Sequence, residues 1–214
     1  MKDIPMFTSE YGVASLVLKE IPYKATAYVK LISSQEPEKL LQECVQFCRM
    51  CGSEIIDATG DPLLEQYPLV TAIYTMQCPR ALLQDTDACL FPVTEQTLHK
   101  WLDIYNDRMA DVPNSAYMDS RDGKKLLQTG DGYFVHRDGK LLGIGKAAGD
   151  TVDAVISVVP GMGETVLCAL ASALNCDIVA LTVASANTRA IRLYQRLGFV
   201  KTAELSRWYR VLEP

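Results

Sequence analysis

Residues 166–186, VLCALASALNCDIVALTVASA, constrain the fold more than any other stretch. The run matches the roughly 20 residues that a helix needs to cross a hydrocarbon layer. Asn175 and Asp177 fall in its middle, where polar groups cost most in lipid. It therefore reads as a buried helix, a turn at Asn175–Asp177 and a buried strand. A buried helix returning directly into a buried strand belongs to an α/β protein, with helices covering a sheet.

The rest of the composition narrows the class. With 214 residues, 49% of them hydrophobic, the chain suits one large or two small globular domains. A net charge of −5 argues against general binding to nucleic acid or to anionic membrane. The opening MKDIPMFTSEYG has no apolar run behind its lysine and does not read as a secretory signal. Seven cysteines, an odd number in no spaced framework, fit free thiols in a reducing compartment, so a cytoplasmic location is expected.

Three of those cysteines lie in CVQFCRMCG, residues 44–52, a spacing also used to hold an iron–sulfur cluster. The surrounding EPEKLLQECVQFCRMCG has a helical signature, with Pro37 in the first turn and Gly52 as the stop. Leu40, Leu41, Cys44, Phe47, Cys48 and Cys51 form one apolar stripe at about 3.6 residues per turn. A rigid helix cannot wrap a cluster, and the only histidines, His99 and His136, are remote in sequence. The cysteines read as small hydrophobic wall residues, with no metal expected.

Two passages share an order of elements. In the first, YGVASLVLKEIP and YKATAYVKLISS read as paired strands, followed by the cysteine helix and the strand SEIIDAT. In the second, GYFVHRDGKLLGIGKAAG is a hairpin turning at Asp138–Gly139, followed by the strand TVDAVISVVP, the helix GMGETVLCALASALN and the strand DIVALTVAS. Both run strand–strand–helix–strand, the mark of a remote internal repeat. PRALLQDTDACLFP, residues 79–92, reads as a connector, which puts the domains at 1–86 and 87–214. The next helix, TEQTLHKWLDIYNDRMADV, takes Thr94 as its N-cap and turns Leu98, Trp101, Leu102 and Tyr105 inward. His99 and His136 read as structural.

The most specific pattern is ASANTRAIRLYQRLGF, residues 184–199. Asn187 caps an amphipathic helix, Gly198 ends it, and Phe199 packs back on it. The order N-x-x-A-x-x-L-Y-x-x-x-G-F resembles a block of the GNAT superfamily of acyl-CoA-dependent N-acetyltransferases. VVPGMGETVLCAL, about 25 residues upstream, is similar to that family's glycine block. The resemblance covers about residues 88–214. It implies a mixed, mostly antiparallel sheet flanked by helices, with residues 1–86 as an N-terminal α/β segment, a truncated copy of the same fold that lacks both blocks.

Gly161 and Gly163 leave backbone N–H groups bare at a helix start, which favours an anion such as a pyrophosphate. The resemblance implies that acetyl-CoA lies along Ser157, Val158 and Val159, with its pyrophosphate on Gly161, Met162, Gly163, Glu164 and Thr165 and its arm reaching Asn187. It further implies Tyr194 as the acid that protonates the departing thiolate, and backbone N–H groups near Val158 as the oxyanion donors. Asp153 is the candidate general base. Val158 stands where the family usually has Arg or Gln, Pro160 removes one N–H, and Glu164 sets a negative charge beside the anion. No basic residue lies in this turn. These departures should weaken CoA binding while leaving the backbone cradle.

The expected activity is direct transfer of an acetyl or other short acyl group from acetyl-CoA to an amine. The acceptor is a small molecule or peptide, held by residues 105–125 and the final strands VKTAELSRWYRVL. Nucleic-acid and membrane partners are not expected, and a homodimer stays open. The alternative is a non-catalytic module of the same fold that binds a ligand or partner.

Overall fold

The computed structural model describes residues 5–213. The chain forms two compact units. One ends at Ile73 and resumes at Leu205, and the other is Tyr74–Glu204. This division differs from the boundary read at residue 86, because it falls inside two strands rather than in a connector.

The first unit contains β1 (Met6–Ser9), β2 (Gly12–Val17), the single-turn α1 (Ile21–Lys24), β3 (Thr26–Ser34), α2 (Pro37–Met50) and β4 (Ile55–Thr59). A 3-10 turn at Pro62–Gln66 leads into β5 (Leu69–Pro79). β1, β2 and β3 are antiparallel neighbours, and β4 returns parallel to β3 over five successive pairs, Thr26↔Ile55 to Lys30↔Thr59.

Helix α2 starts at Pro37 and buries Leu40, Leu41, Cys44 and Cys48 against Leu16, Val29 and Ile56. Burial pushes both thiols up to about 12, so they stay protonated and pack as hydrophobes. The stripe is narrower than its spacing predicts. Phe47 is 38% exposed, and Cys51 is exposed at the C-cap, where the chain leaves the helix toward Gly52. Among the described residues, no group of three or more His, Cys, Asp or Glu is placed to hold a metal ion.

The second unit contains β6 (Cys89–Pro92), α3 (Leu98–Met109), α4 (Ser120–Thr129), β7 (Gly132–Arg137), β8 (Lys140–Ala148) and β9 (Thr151–Ser157). It continues through α5 (Gly163–Ser172), β10 (Ile178–Ala184) and α6 (Thr188–Arg196), and the chain's last strand is β11 (Val200–Leu212). From β10 the strand order is β10-β9-β8-β7-β6, antiparallel from β9 to β6. The β7–β8 hairpin turns at Asp138 and Gly139, both with positive φ, as the Asp-Gly signal predicts.

Helices cover both faces. Val166, Leu167 and Leu170 of α5, with Tyr194 and Phe199, bury one face over Val152, Val179 and Leu181. Trp101, Tyr105 and Leu126 cover Phe134, Ile144 and Ile156 on the other. The long apolar run is α5, a turn and β10, and no helix among the described residues is long and apolar enough to cross a membrane.

Four readings change. Helix α3 starts after Thr97, which makes no side-chain cap, because Thr94 lies in a preceding turn, its hydroxyl 3.1 Å from that of Thr97. Helix α4, opened by an Asp119–Asp122 capping box, begins inside the 105–125 span read as part of the acceptor cleft and runs past its end to Thr129. The connector read over 79–92 ends in the strand β6. The final segment is one long strand, and the neighbour of both β10 and β11 is β5, a strand the sequence reading left out.

Candidate active site

The site begins with a defect in β9. Lys146 pairs with Asp153 and Ile144 with Ile156, so Ala154 and Val155 together stand opposite Gly145. This is a β-bulge. Ala154 takes φ +52°, a left-handed backbone that is uncommon outside glycine. Gly145 accommodates the bend, since a Cβ there would lie 2.3 Å from Leu170 Cδ1.

On its other side β9 pairs with β10 only at Thr151↔Ala180, where the Ala180 N–H also donates to Asp150 O at 2.8 Å. The two parallel strands therefore part after Thr151, and from the bulge onward an edge of β9 has no strand partner among the described residues. The expectation of an oxyanion donor near Val158 is sharpened here. The Val158 N–H donates to Leu142 O at 2.9 Å and is spent in the ladder. Successive N–H groups along a strand point to opposite sides, so Ser157 turns its N–H to the open edge.

Beyond β9 the chain bends at Gly161, with φ +84° and open space where a Cβ would be. A left-handed turn without a side chain brings bare backbone to the mouth of the gap. Helix α5 follows with no side-chain cap at Met162, and first-turn N–H groups have no intrahelical acceptor. Gly163 lets α6 approach, since a Cβ there would meet Leu193 Cδ2 at 3.0 Å. The negative charge of Glu164 is matched, for its Oε2 lies 3.6 Å from Arg196 Nη2. Arg108 and Arg189 join the same lining. The turn has no basic residue of its own, and the cations come from α3 and α6.

Helix α6 closes the other wall. Asn187 Oδ1 accepts from the Ala190 N–H at 3.2 Å, which leaves the Nδ2 donors of Asn187 without a partner among the described residues. Tyr194 is 7% exposed, its ring centroid 5.8 Å from that of Phe199. Burial pushes its phenol up to about 12. Its hydroxyl makes no hydrogen bond among the described residues.

The resulting cleft measures about 340 Å³. It brings together Ser157, Gly161, Gly163, Glu164, Asn187 and Tyr194 from the residues picked out in sequence. Val158, Val159, Met162 and Thr165 lie outside its lining; the Met162 thioether instead takes a contact from Arg137 Nη2 at 3.5 Å. Asp153 also lies outside it, exposed and before the bulge, opposite Lys146. Met109 and Val112, from the end of α3 and the loop after it, add apolar lining; both fall in the 105–125 span read as part of the acceptor cleft, though neither was singled out. No periodic signal in α3 distinguishes residues that face a cleft from residues that face water.

No family model matches the sequence, and no curated protein matches it. Solved structures do resemble it. A functionally unknown conserved protein from Staphylococcus epidermidis aligns with 98% of this chain and 94% of its own, at 13% identity and TM-score 0.62. A GCN5-related N-acetyltransferase from Kribbella flavida aligns with 100% of this chain and 90% of its own, at 13% identity and TM-score 0.59. One from Sphaerobacter thermophilus covers 94% and 77%, at 15% identity and TM-score 0.54. The chain has the fold of the GCN5-related N-acetyltransferases.

Proposed function

We propose that the protein is a cytoplasmic N-acyltransferase that moves an acetyl or other short acyl group from acetyl-CoA to an amine on a small molecule or peptide. The observation that carries this reading is the gap between β9 and β10, which opens beside the uncapped start of α5 and is walled by Tyr194. Acyl-CoA supplies a thioester-activated acyl group to such a site.

The residues present fit that donor. A free strand edge at Ser157 can pair with the amides of an extended arm, as an added strand would. The open N–H groups at the start of α5, backed by the helix dipole, favour a pyrophosphate there. Asn187 keeps its Nδ2 donors for the arm while its Oδ1 caps α6. Arg108, Arg189 and Arg196 bring positive charge that the glycine turn lacks.

The chemistry of these groups follows from their protonation. Tyr194, with its pKa near 12, is a phenol at neutral pH and can hand its proton to a departing sulfur. Backbone N–H groups of the bulged β9 are fixed dipoles, suited to hold a carbonyl oxygen as it gains charge. Leu193, Val155 and Met109 narrow the cleft and limit water around the reacting atoms. Asp153, outside the lining, can act on an incoming ammonium group only through intervening water.

The test is a thermal-shift titration with acetyl-CoA, followed by a thiol-release assay across a panel of amines. The reading predicts a concentration-dependent rise in melting temperature and amine-dependent release of free CoA. Stabilisation without release from any amine would favour the non-catalytic module instead. No stabilisation at millimolar acetyl-CoA would remove both.

A further inference from the structure

The second unit holds another cavity, of about 480 Å³, outside the cleft. It lies beside the edge strand β6 and its partner β7, and is closed by the start of α3. Its size is that of a small-molecule site. Phe91 and Phe134 are cross-strand partners and so project to the same face, with Pro92 beside them. Cys89 and His136 form the next cross-strand pair on that face. The His136 ring lies edge-on to Phe91, with centroids 5.2 Å apart.

Two groups lining this cavity, the His136 ring and the exposed Lys100, make no hydrogen bond or ion pair among the described residues. His136 Nδ1 is buried and makes no hydrogen bond among the described residues. Lys100, from the first turn of α3, makes no ion pair among them. Both groups line this cavity, and burial, with the Lys100 ammonium, holds His136 below its ordinary pKa. Thr94 and Thr97 occupy each other's hydroxyls. Asp138, the acidic member of the lining, is exposed at the hairpin tip.

With Nδ1 shut off from the cavity, the His136 ring meets a ligand through its other nitrogen, Nε2, whose N–H can donate to a bound acceptor. An ammonium beside it makes that acceptor an anion. A neutral imidazole donates to a carboxylate oxygen while Lys100 balances its charge, and the paired phenyl rings suit a flat apolar body.

We propose that this cavity binds a small carboxylic acid with a flat apolar body, its carboxylate on Lys100 and His136 and its body against Phe91 and Phe134. The site is separate from the cleft and does not depend on the acyltransferase reading. No covalent step is involved.

The test titrates the full chain with benzoate, phenylacetate and hexanoate at millimolar concentration, each beside its neutral amide, and follows binding by calorimetry. The acid should bind at least about tenfold more tightly than its amide, equivalent to ~1.4 kcal/mol. Lys100→Gln should remove that preference and Lys100→Arg should retain it. Phe91→Ala, at a position 53% exposed and so tolerant of change, should weaken acid and amide alike. Bound acid should leave the acetyl-CoA thermal shift unaltered. The proposal is overturned if no acid binds, if Lys100→Gln leaves the preference intact, or if CoA displaces the acid. It is equally overturned if light scattering shows a second copy of the chain covering β6 and shutting the acid out.

Discussion

Arg196 and Glu164 face each other across the mouth of the cleft, Nη2 to Oε2 at 3.6 Å, both side chains substantially exposed. The pair neutralises the one acidic side chain at the start of α5, where a helix dipole would otherwise draw an anion. Glu164→Gln frees Arg196 for that anion and removes a repulsion. It should tighten acetyl-CoA binding about two- to fivefold, as expected for charge effects of ~0.3–1 kcal/mol near a helix start. Arg196→Ala, which leaves Glu164 unbalanced, should weaken binding by a similar factor. Calorimetric titration of both variants checks the opposite signs, and equal signs would contradict the account.

Tyr194→Phe keeps the ring against Phe199 and removes only the hydroxyl. Because that hydroxyl has no hydrogen-bond partner among the described residues, the melting temperature should barely change. Turnover should fall by about 10²-fold, the lower end of general-acid contributions, with KM for acetyl-CoA nearly constant. Steady-state kinetics separates the two parameters.

The pH profile follows from the same residue. A phenol pushed up to about 12 stays protonated through the range where an ordinary tyrosine, near 10, loses its proton. The rate should therefore rise with pH as the amine loses its proton, with no falling limb near pH 10 from Tyr194. Stability runs the opposite way and falls as pH rises, because the folded state holds this proton longer than the unfolded chain. The stabilisation is complete below pH 10 and is lost as pH climbs from 10 toward 12. A turnover maximum near pH 9–10 that disappears in Tyr194→Phe would contradict the assignment.

Gly145→Ala tests the bulge. Its Cβ would lie 2.3 Å from Leu170 Cδ1 and 3.2 Å from Ala154 O, so helix α5 or the bulged strand must shift. Overpacking of this kind costs about 1–3 kcal/mol. Denaturant unfolding should show a loss in that range, together with weaker acetyl-CoA binding.

Cysteine alkylation separates wall residues from exposed ones. Cys44 and Cys48, 0% exposed and with thiols near 12, should resist iodoacetamide at pH 8 in the native protein. Cys51 and Cys89, both exposed, should react. Peptide mass mapping reads each site.

Much of this was legible in the chain because local and tertiary preferences agree. The Asn187–Phe199 block forms its helix with Asn187 as cap, and the interrupted apolar run 166–186 folds as α5 and β10. The internal similarity also has a structural counterpart. β2-β3-α2-β4 and β8-β9-α5-β10 share connectivity, each an antiparallel pair followed by a helix and a parallel return.

What distinguishes the two copies was not legible. β3 and β4 stay paired over five residues, whereas β9 and β10 part after Thr151↔Ala180. A splay depends on long-range strand placement, and TVDAVIS shows no more sign of it than TAYVKLISS does. Strand β5 was missed because its residues carry no turn signals of the kind that marked the hairpin. The cations at the cleft were missed because Arg108, Arg189 and Arg196 lie on helices remote in sequence from the glycine turn. Asp153 was drawn in by its position on the central strand, but the bulge separates it from the cleft residues on β9.

The most direct test is a crystal structure of the protein soaked with acetyl-CoA. The account predicts the arm paired to the free edge of β9 at Ser157, the pyrophosphate on the first-turn N–H groups of α5, and the thioester sulfur within reach of the Tyr194 hydroxyl. Density for acetyl-CoA elsewhere, or a gap between β9 and β10 still empty at saturating ligand, would contradict it.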